Sequence, residues 1–173
     1  MQQQRDTQTE RTAGTSSSVR ARSERQAHDA RLAEADFSRA PFTIAWELTR
    51  ACAYACRHCR AEAQPRRDPR ELTTEEAYRL IDQIREFGDP ILVITGGDPM
   101  MRPDRYDILT YAVQQGLRTS LTPTTTRLVT PAALARARDA GVRRMAVSLD
   151  GLRPRLLVPE RTSERYDSRT VKA

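Results

Sequence analysis

Three cysteines fall within one short segment, Cys52-Ala-Tyr-Ala-Cys56-Arg-His-Cys59, and the chain has no others. An odd, clustered set is not the disulfide framework of a secreted protein. It points to metal or redox chemistry in a reducing compartment. The spacing C-x3-C-x2-C lets three thiolates on one loop grip three corners of a cubane iron–sulfur cluster. Electron-transfer clusters are ordinarily held by four cysteines. Three ligands leave one iron open to bind something else. Zinc is the alternative. Cys56 and Cys59 form C-x2-C, Cys52 is a third ligand, and His58 or His28 a fourth, because structural zinc is closed and four-coordinate. His58, next to Cys59, reaches the same ion with difficulty, and His28 lies far upstream in the tail.

The elements that must position this loop are legible. Phe42–Leu48 mixes aromatic, β-branched and aliphatic residues and predicts a strand that runs into the cysteines. Thr73 and Glu76 form a capping box ahead of Ala77, Leu80, Ile81, Ile84 and Phe87 at helical spacing, and Gly88 stops that helix. Ile91–Ile94 is a continuous apolar run, which suits a strand buried on both faces of a parallel sheet. Pro103–Gln115 predicts a second helix, 117–121 a strand, Thr130–Ala140 a third helix and Arg144–Leu149 a fourth strand. Strands alternating with helices predict parallel pairing through right-handed crossovers, so the fold class is α/β.

The loops share one rim. The cysteine loop follows the first strand, Gly96-Gly97-Asp98-Pro99 the second, Thr122-Pro123-Thr124-Thr125 the third, and Ser148 and Asp150 end the fourth. In barrels of parallel strands and helices, chemistry sits at the C-terminal ends of the strands. A zinc knuckle does not require that agreement. Each residue also has a plainer reading. Gly96-Gly97 serves as a strand-to-helix turn, Asp98 caps the next segment, Ser148 is a strand-end hydroxyl, and Tyr54 and His58 fill the loop.

Composition bounds the rest. The chain has 173 residues, 38 % hydrophobic, 5 % aromatic and 30 % charged, with net charge +6. Of its 29 basic residues only Lys172 is lysine, and the arginines are spread throughout. This is a compositional bias rather than the clustered basic face of a nucleic-acid binder, so no nucleic-acid partner is expected. No apolar stretch approaches the ~20 residues of a membrane span, and no apolar signal-peptide core is visible. The expected location is cytoplasmic. Residues 1–39, rich in Gln, Arg, Ser and Thr, are expected to be a disordered tail, although 25–35 has weak helical character.

The C-x3-C-x2-C after a first strand resembles the signature of the radical S-adenosylmethionine (radical SAM) enzymes. Asp36–Pro41 and Trp46–Cys52 resemble a narrower branch with a C-terminal SPASM extension, which includes haem-biosynthesis and peptide-maturation enzymes. The resemblance covers about residues 36–151. It implies the N-terminal part of a parallel (β/α) partial TIM barrel over residues 40–151. It implies that Cys52, Cys56 and Cys59 ligate a [4Fe–4S] cluster whose fourth iron takes S-adenosylmethionine. Gly96, Gly97, Asp98 and Pro99 match the family's Gly-Gly-Glu motif, which holds the methionine amino group, with the shorter Asp98 for the usual Glu. Ser148 matches a polar residue that contacts the cosubstrate, and His58 takes the slot of a common aromatic. No residue is assigned a catalytic role of its own. The implied activity is reductive cleavage of S-adenosylmethionine to a 5′-deoxyadenosyl radical that abstracts hydrogen from a substrate. The implied partners are a low-potential donor of flavodoxin or ferredoxin type and a tetrapyrrole or peptide substrate. The alternative remains a small zinc module, using its Arg-rich ends on nucleic acid.

Family barrels have about six βα units, and only three and one further strand are visible here. Residues 152–173 read as an irregular Arg-rich tail, the pattern of a frameshift or truncated gene. An open fourth-strand edge is then expected, with weak or no turnover.

Overall fold

The computed structural model describes residues 19, 22–54, 56 and 59–147. Ser148 and Asp150 lie outside the described residues, as do His58 and the end of the expected fourth strand. The chain divides into two units, Met1–Phe42 and Thr43–Ala173. In the first, residues 22–33 form helix α1, exposed except at His28 and Arg31, which are half-buried. His28 meets the Phe42 ring edge-on at 5.2 Å and the Arg31 guanidinium lies over that ring at 5.5 Å.

The second unit is a four-stranded sheet of β1 (Thr43–Glu47), β2 (Ile91–Thr95), β3 (Arg118–Leu121) and β4 (Arg144–Met145). Strand order follows chain order and every pairing is parallel. Helices α2 (Thr74–Phe87), α3 (Arg105–Gln114) and α4 (Pro131–Asp139) form the three crossovers. Right-handed crossovers in this order place all three helices on one face. In keeping with that, α2 packs on α3 and α3 on α4. This is the α/β partial barrel expected from the alternation of periods.

The helices form where their caps stand. The Thr73 hydroxyl accepts the Glu76 N–H, and the Glu76 carboxylate accepts the Thr73 N–H. The Thr130 hydroxyl caps α4 by accepting the Ala133 N–H, with Pro131 in the first turn. Helix α3 begins later than its Pro103 signal because a short 3₁₀ turn, Pro99–Met101, precedes it. The core lies between sheet and helices. Ile81, Leu92, Ile94, Ile108, Leu109 and Leu121 are fully buried. Each such side chain stabilises by about 1.5–3 kcal/mol. Strand β2 alternates between fully and half-buried positions, so the continuous apolar run Ile91–Ile94 meets the helices on one face and is partly covered on the other.

Candidate functional site

The cysteine loop is tied down where it leaves and rejoins the sheet. The Leu48 N–H donates to the Thr95 carbonyl at 2.9 Å and extends the β1–β2 ladder. Beyond the cysteines, the chain folds back so that Gln64 bridges Ala51. The Cys52 N–H donates to the Gln64 carbonyl, and the Gln64 N–H to the Arg50 carbonyl, both at 2.8 Å. The Arg50 guanidinium donates to the carbonyls of Ala61 and Glu62. One carboxylate closes the base. Glu71 Oε1 accepts the Thr49 hydroxyl at 2.7 Å and the Arg50 N–H at 3.0 Å, while Oε2 accepts Arg67 Nε at 2.7 Å. Burial alone would raise the Glu71 pKa. Arg67, Thr49 and the Arg50 N–H outweigh it and hold the carboxyl below its ordinary value.

The Gly-Gly turn is stitched to the same root. The Gly97 N–H donates to the Thr49 carbonyl at 2.7 Å and the Asp98 N–H to the Ala51 carbonyl at 2.6 Å. This approach explains the glycines. A Cβ on Gly96, at φ +141°, would stand 2.3 Å from the Thr49 carbonyl oxygen, and one on Gly97 2.5 Å from that of Ala51. Asp98 is fully buried. Its Oδ1 accepts the Met100 N–H at 3.0 Å, which makes it the cap of the 3₁₀ turn, and its Oδ2 accepts the Thr126 hydroxyl at 2.9 Å. Burial pushes its carboxyl above the usual range despite those bonds. Pro99, also buried, opens the turn.

Arg102, with 1 % of its side chain exposed, locks the arrangement from behind. It donates to the carbonyls of Leu48 at 3.2 Å and Leu72 at 2.8 Å, and pairs with Asp104 at 2.8 Å. Asp104 also accepts the Thr74 hydroxyl at 2.6 Å. Arg102 therefore joins the exit of β1 to the entry of α2.

Cys52 is buried and Cys56 and Cys59 are half-buried, and none of the three is in a disulfide. The Cys52 sulfur accepts the Tyr54 N–H at 3.4 Å and lies 3.8 Å from the Thr124 hydroxyl. Burial, the largest influence, pushes the Cys52 thiol up. Zinc–sulfur bonds of about 2.3 Å would bring thiolates to within roughly 3.8 Å of one another. Among the described residues, no three His, Cys, Asp or Glu side chains converge in that way. His28 packs instead on Phe42. Three cysteine thiols on one loop are the donor type that iron–sulfur clusters take.

The structure thus brings Cys52 beside Gly96, Gly97 and Asp98, as the rim argument expects. It gives Thr124, already expected on the rim, its partners, and adds residues that sequence reasoning missed: Glu71, Arg102 and Thr126. Each has a partner 21 or more positions away in the chain. The one visible signal is the run of polar residues after β3. No helix among the described residues is long and apolar enough to cross a membrane.

Comparison with known proteins agrees with this geometry. The model described as "Radical SAM superfamily" matches residues 46–173, including the stretch 152–173 that the motif resemblance leaves out. Over 108 residues the chain is 52 % identical to an AdoMet-dependent heme synthase of Oleidesulfovibrio alaskensis, covering 62 % of this chain and 28 % of that protein. It is 45 % identical over 112 residues to an AdoMet-dependent heme synthase of Methanosarcina barkeri, covering 65 % and 32 %. It is 33 % identical over 112 residues to mycofactocin maturase MftC of Mycolicibacterium smegmatis, covering 65 % and 28 %. The chain therefore spans about a third or less of these relatives. In fold it resembles Streptococcus suis SuiB, solved with its precursor peptide SuiA, at TM-score 0.52 and 17 % identity over 70 % of this chain and 27 % of that one. Members of the matched family use a [4Fe–4S] cluster and S-adenosylmethionine. A parallel half-barrel, a three-cysteine loop rooted on a Gly-Gly turn, and these similarities lead to one conclusion: the chain belongs to the radical SAM superfamily.

Proposed function

We propose that residues 40–151 form the cluster- and cosubstrate-binding part of a radical SAM enzyme. In this reading Cys52, Cys56 and Cys59 hold three irons of a [4Fe–4S] cluster. Gly96, Gly97, Asp98, Pro99 and Ser148 receive S-adenosylmethionine. A bound, reduced cluster would supply the electron for reductive cleavage of S-adenosylmethionine, the source of a 5′-deoxyadenosyl radical for hydrogen abstraction from a substrate.

The chain's own residues supply position. The observation that carries the reading is the pair of short backbone bonds from Gly97 and Asp98 to Thr49 and Ala51. They fix the Gly-Gly turn against the two residues on either side of Arg50, directly ahead of Cys52. An acidic and carbonyl-rich turn held there suits an ammonium group beside a metal. Glu71 and Arg102 keep the loop from drifting. The higher identity to heme synthases than to a maturase supports a tetrapyrrole over a peptide as the substrate class. A low-potential flavodoxin or ferredoxin is the electron donor in this reading.

The test is anaerobic reconstitution of the full chain with iron and sulfide, followed by iron analysis and EPR of the reduced protein with and without S-adenosylmethionine. About four irons per chain and a spectrum altered by the cosubstrate are expected. Cys52→Ser is expected to lose most of the iron. Stoichiometric zinc with no cluster would overturn the reading.

A further inference from the structure

Thr124 stands where the two halves of the site meet. Its hydroxyl donates to the Gly97 carbonyl at 2.7 Å. The same oxygen lies 3.8 Å from the Cys52 sulfur, within hydrogen-bond reach of it. Two residues on, Thr126 is buried and its hydroxyl donates to Asp98 Oδ2. One turn after β3 therefore touches a thiol of the cysteine loop and both a carbonyl and a carboxylate of the Gly-Gly motif.

A threonine hydroxyl has one proton and two lone pairs. With Cys52 as a thiol, both contacts are satisfied together. The S–H donates to Thr124 Oγ1, and the Oγ1 proton goes to Gly97. A metal-ligating sulfur carries no proton and only accepts. Unless the hydroxyl turns, its lone pairs face an electron-rich sulfur. Bonds to ionised acceptors are about twice as strong as neutral ones, which favours sulfur over the carbonyl.

We infer that Thr124 is a positioning residue whose hydroxyl swings from the Gly97 carbonyl to the Cys52 sulfur when Cys52 ligates a cluster. The swing leaves the Gly97 carbonyl open to the ammonium group of the cosubstrate. Cluster loading and readiness of the Gly-Gly turn are thereby coupled through one side chain. The inference rests on the ligand role proposed above for Cys52.

The readout is the cluster's reduction potential, which responds to hydrogen bonds on its sulfurs. A donor favours the more negative reduced state and raises the potential. In the reconstituted full chain, Thr124→Val is expected to shift the potential to a more negative value, and Thr124→Ser to keep it near wild type. A fully loaded Thr124→Val protein with the wild-type potential would show that the hydroxyl stays on Gly97, and would overturn the inference. If Thr124→Val does not load, Thr124→Ala takes its place. Failure of both to load, with wild-type far-UV circular dichroism and full loading of Thr124→Ser, supports a hydroxyl required by the ligated sulfur. Failure with loss of the fold makes Thr124 merely structural and overturns the inference. A wild-type chain that takes up no cluster removes the proposed function itself before any variant is compared.

Discussion

The two ends of the sheet are built differently. At β1–β2 five residue pairs lie in register, and the ladder continues through Leu48, Gly97 and Asp98 into the loops. At β3–β4 two pairs are made, and Arg144, Met145 and Val147 are exposed. The first end is held by backbone bonds that demand glycine and by buried charges that close on carbonyls. At the second, the Ala146 N–H extends the pairing to the Leu121 carbonyl at 3.1 Å. Precision in this molecule is concentrated where the three cysteines begin.

The largest effect is expected from crowding the first end. Gly97→Ala places a Cβ 2.5 Å from the Ala51 carbonyl oxygen and 2.7 Å from that of Arg50. Both are backbone atoms and cannot step aside as a flexible side chain does. Overpacking with strain on the Asp98–Ala51 bond is expected to destabilise by about 3 kcal/mol or more. Gly116→Ala is the control away from the loop. At φ +83° its nearest neighbour would be 3.9 Å away, so only backbone strain of about 1–2 kcal/mol is expected. Urea unfolding of both variants decides. Equal losses would erase the distinction between the tight end and the rest.

Arg102→Met comes next. It removes a guanidinium from two carbonyls and leaves Asp104 without its ion partner. Breaking a buried pair from one side is expected to destabilise by about 3 kcal/mol. Asp104→Asn, which keeps an acceptor for Arg102 and Thr74, should lose less. If the two variants unfold at the same urea concentration, the clamp acts through charge alone and not through the carbonyls it joins.

These two cases also show which parts of the molecule the sequence makes legible. The Thr73–Glu76 box, Pro131 and the apolar runs are local signals, and the helices and strands they predict are present. Arg102 had no such signal, because one buried arginine looks like any other in an arginine-rich chain. Glu71 and Thr124 likewise act across the fold, on partners from other elements. Asp98 allows two readings from sequence, cap or cosubstrate ligand, and its carboxylate is observed capping Met100. Helix α1 at 22–33 falls where only weak helical character is predicted, because its apolar stripe is mostly alanine.

Acid gives a finer test, because two carboxylates near the loop respond with opposite sign. Burial opposes ionisation of Asp104, but Arg102 and Thr74 outweigh it and bring the pKa from 3.8 to about 2. Its stabilising contribution is present above 3.8 and is lost as pH falls through about 2. Asp98 is raised above 3.8, chiefly by burial. Its contribution is present below 3.8 and is lost as pH rises through the folded value. Asp98→Asn should therefore gain in melting temperature relative to wild type as pH rises above 3.8. Asp104→Asn should fall behind wild type over the range from about pH 2 to about pH 5. Parallel pH profiles for the two variants would contradict the opposite environments assigned to them.

The smallest effect is expected from an ion pair that looks equivalent on distance alone. Arg60 reaches from the cysteine loop to Glu47 on β1 at 2.9 Å, against 2.8 Å for Arg102 and Asp104. The exposures separate them, 86 % and 36 % for the outer pair against 1 % and 18 % for the inner. Water screens the outer pair, and two long side chains lose rotamer freedom to form it. A double-mutant cycle on Arg60→Ala and Glu47→Ala should give a coupling of about 0.5 kcal/mol or less. The same cycle on Arg102 and Asp104 should give several times more, since neither partner can turn to solvent for its missing bonds. Equal couplings would mean that the rim of the cysteine loop, and not its buried root, keeps the loop in place. The geometry argues for the root, because Glu71 and Arg102 hold backbone groups on both sides of the loop whereas Arg60 holds one exposed side chain.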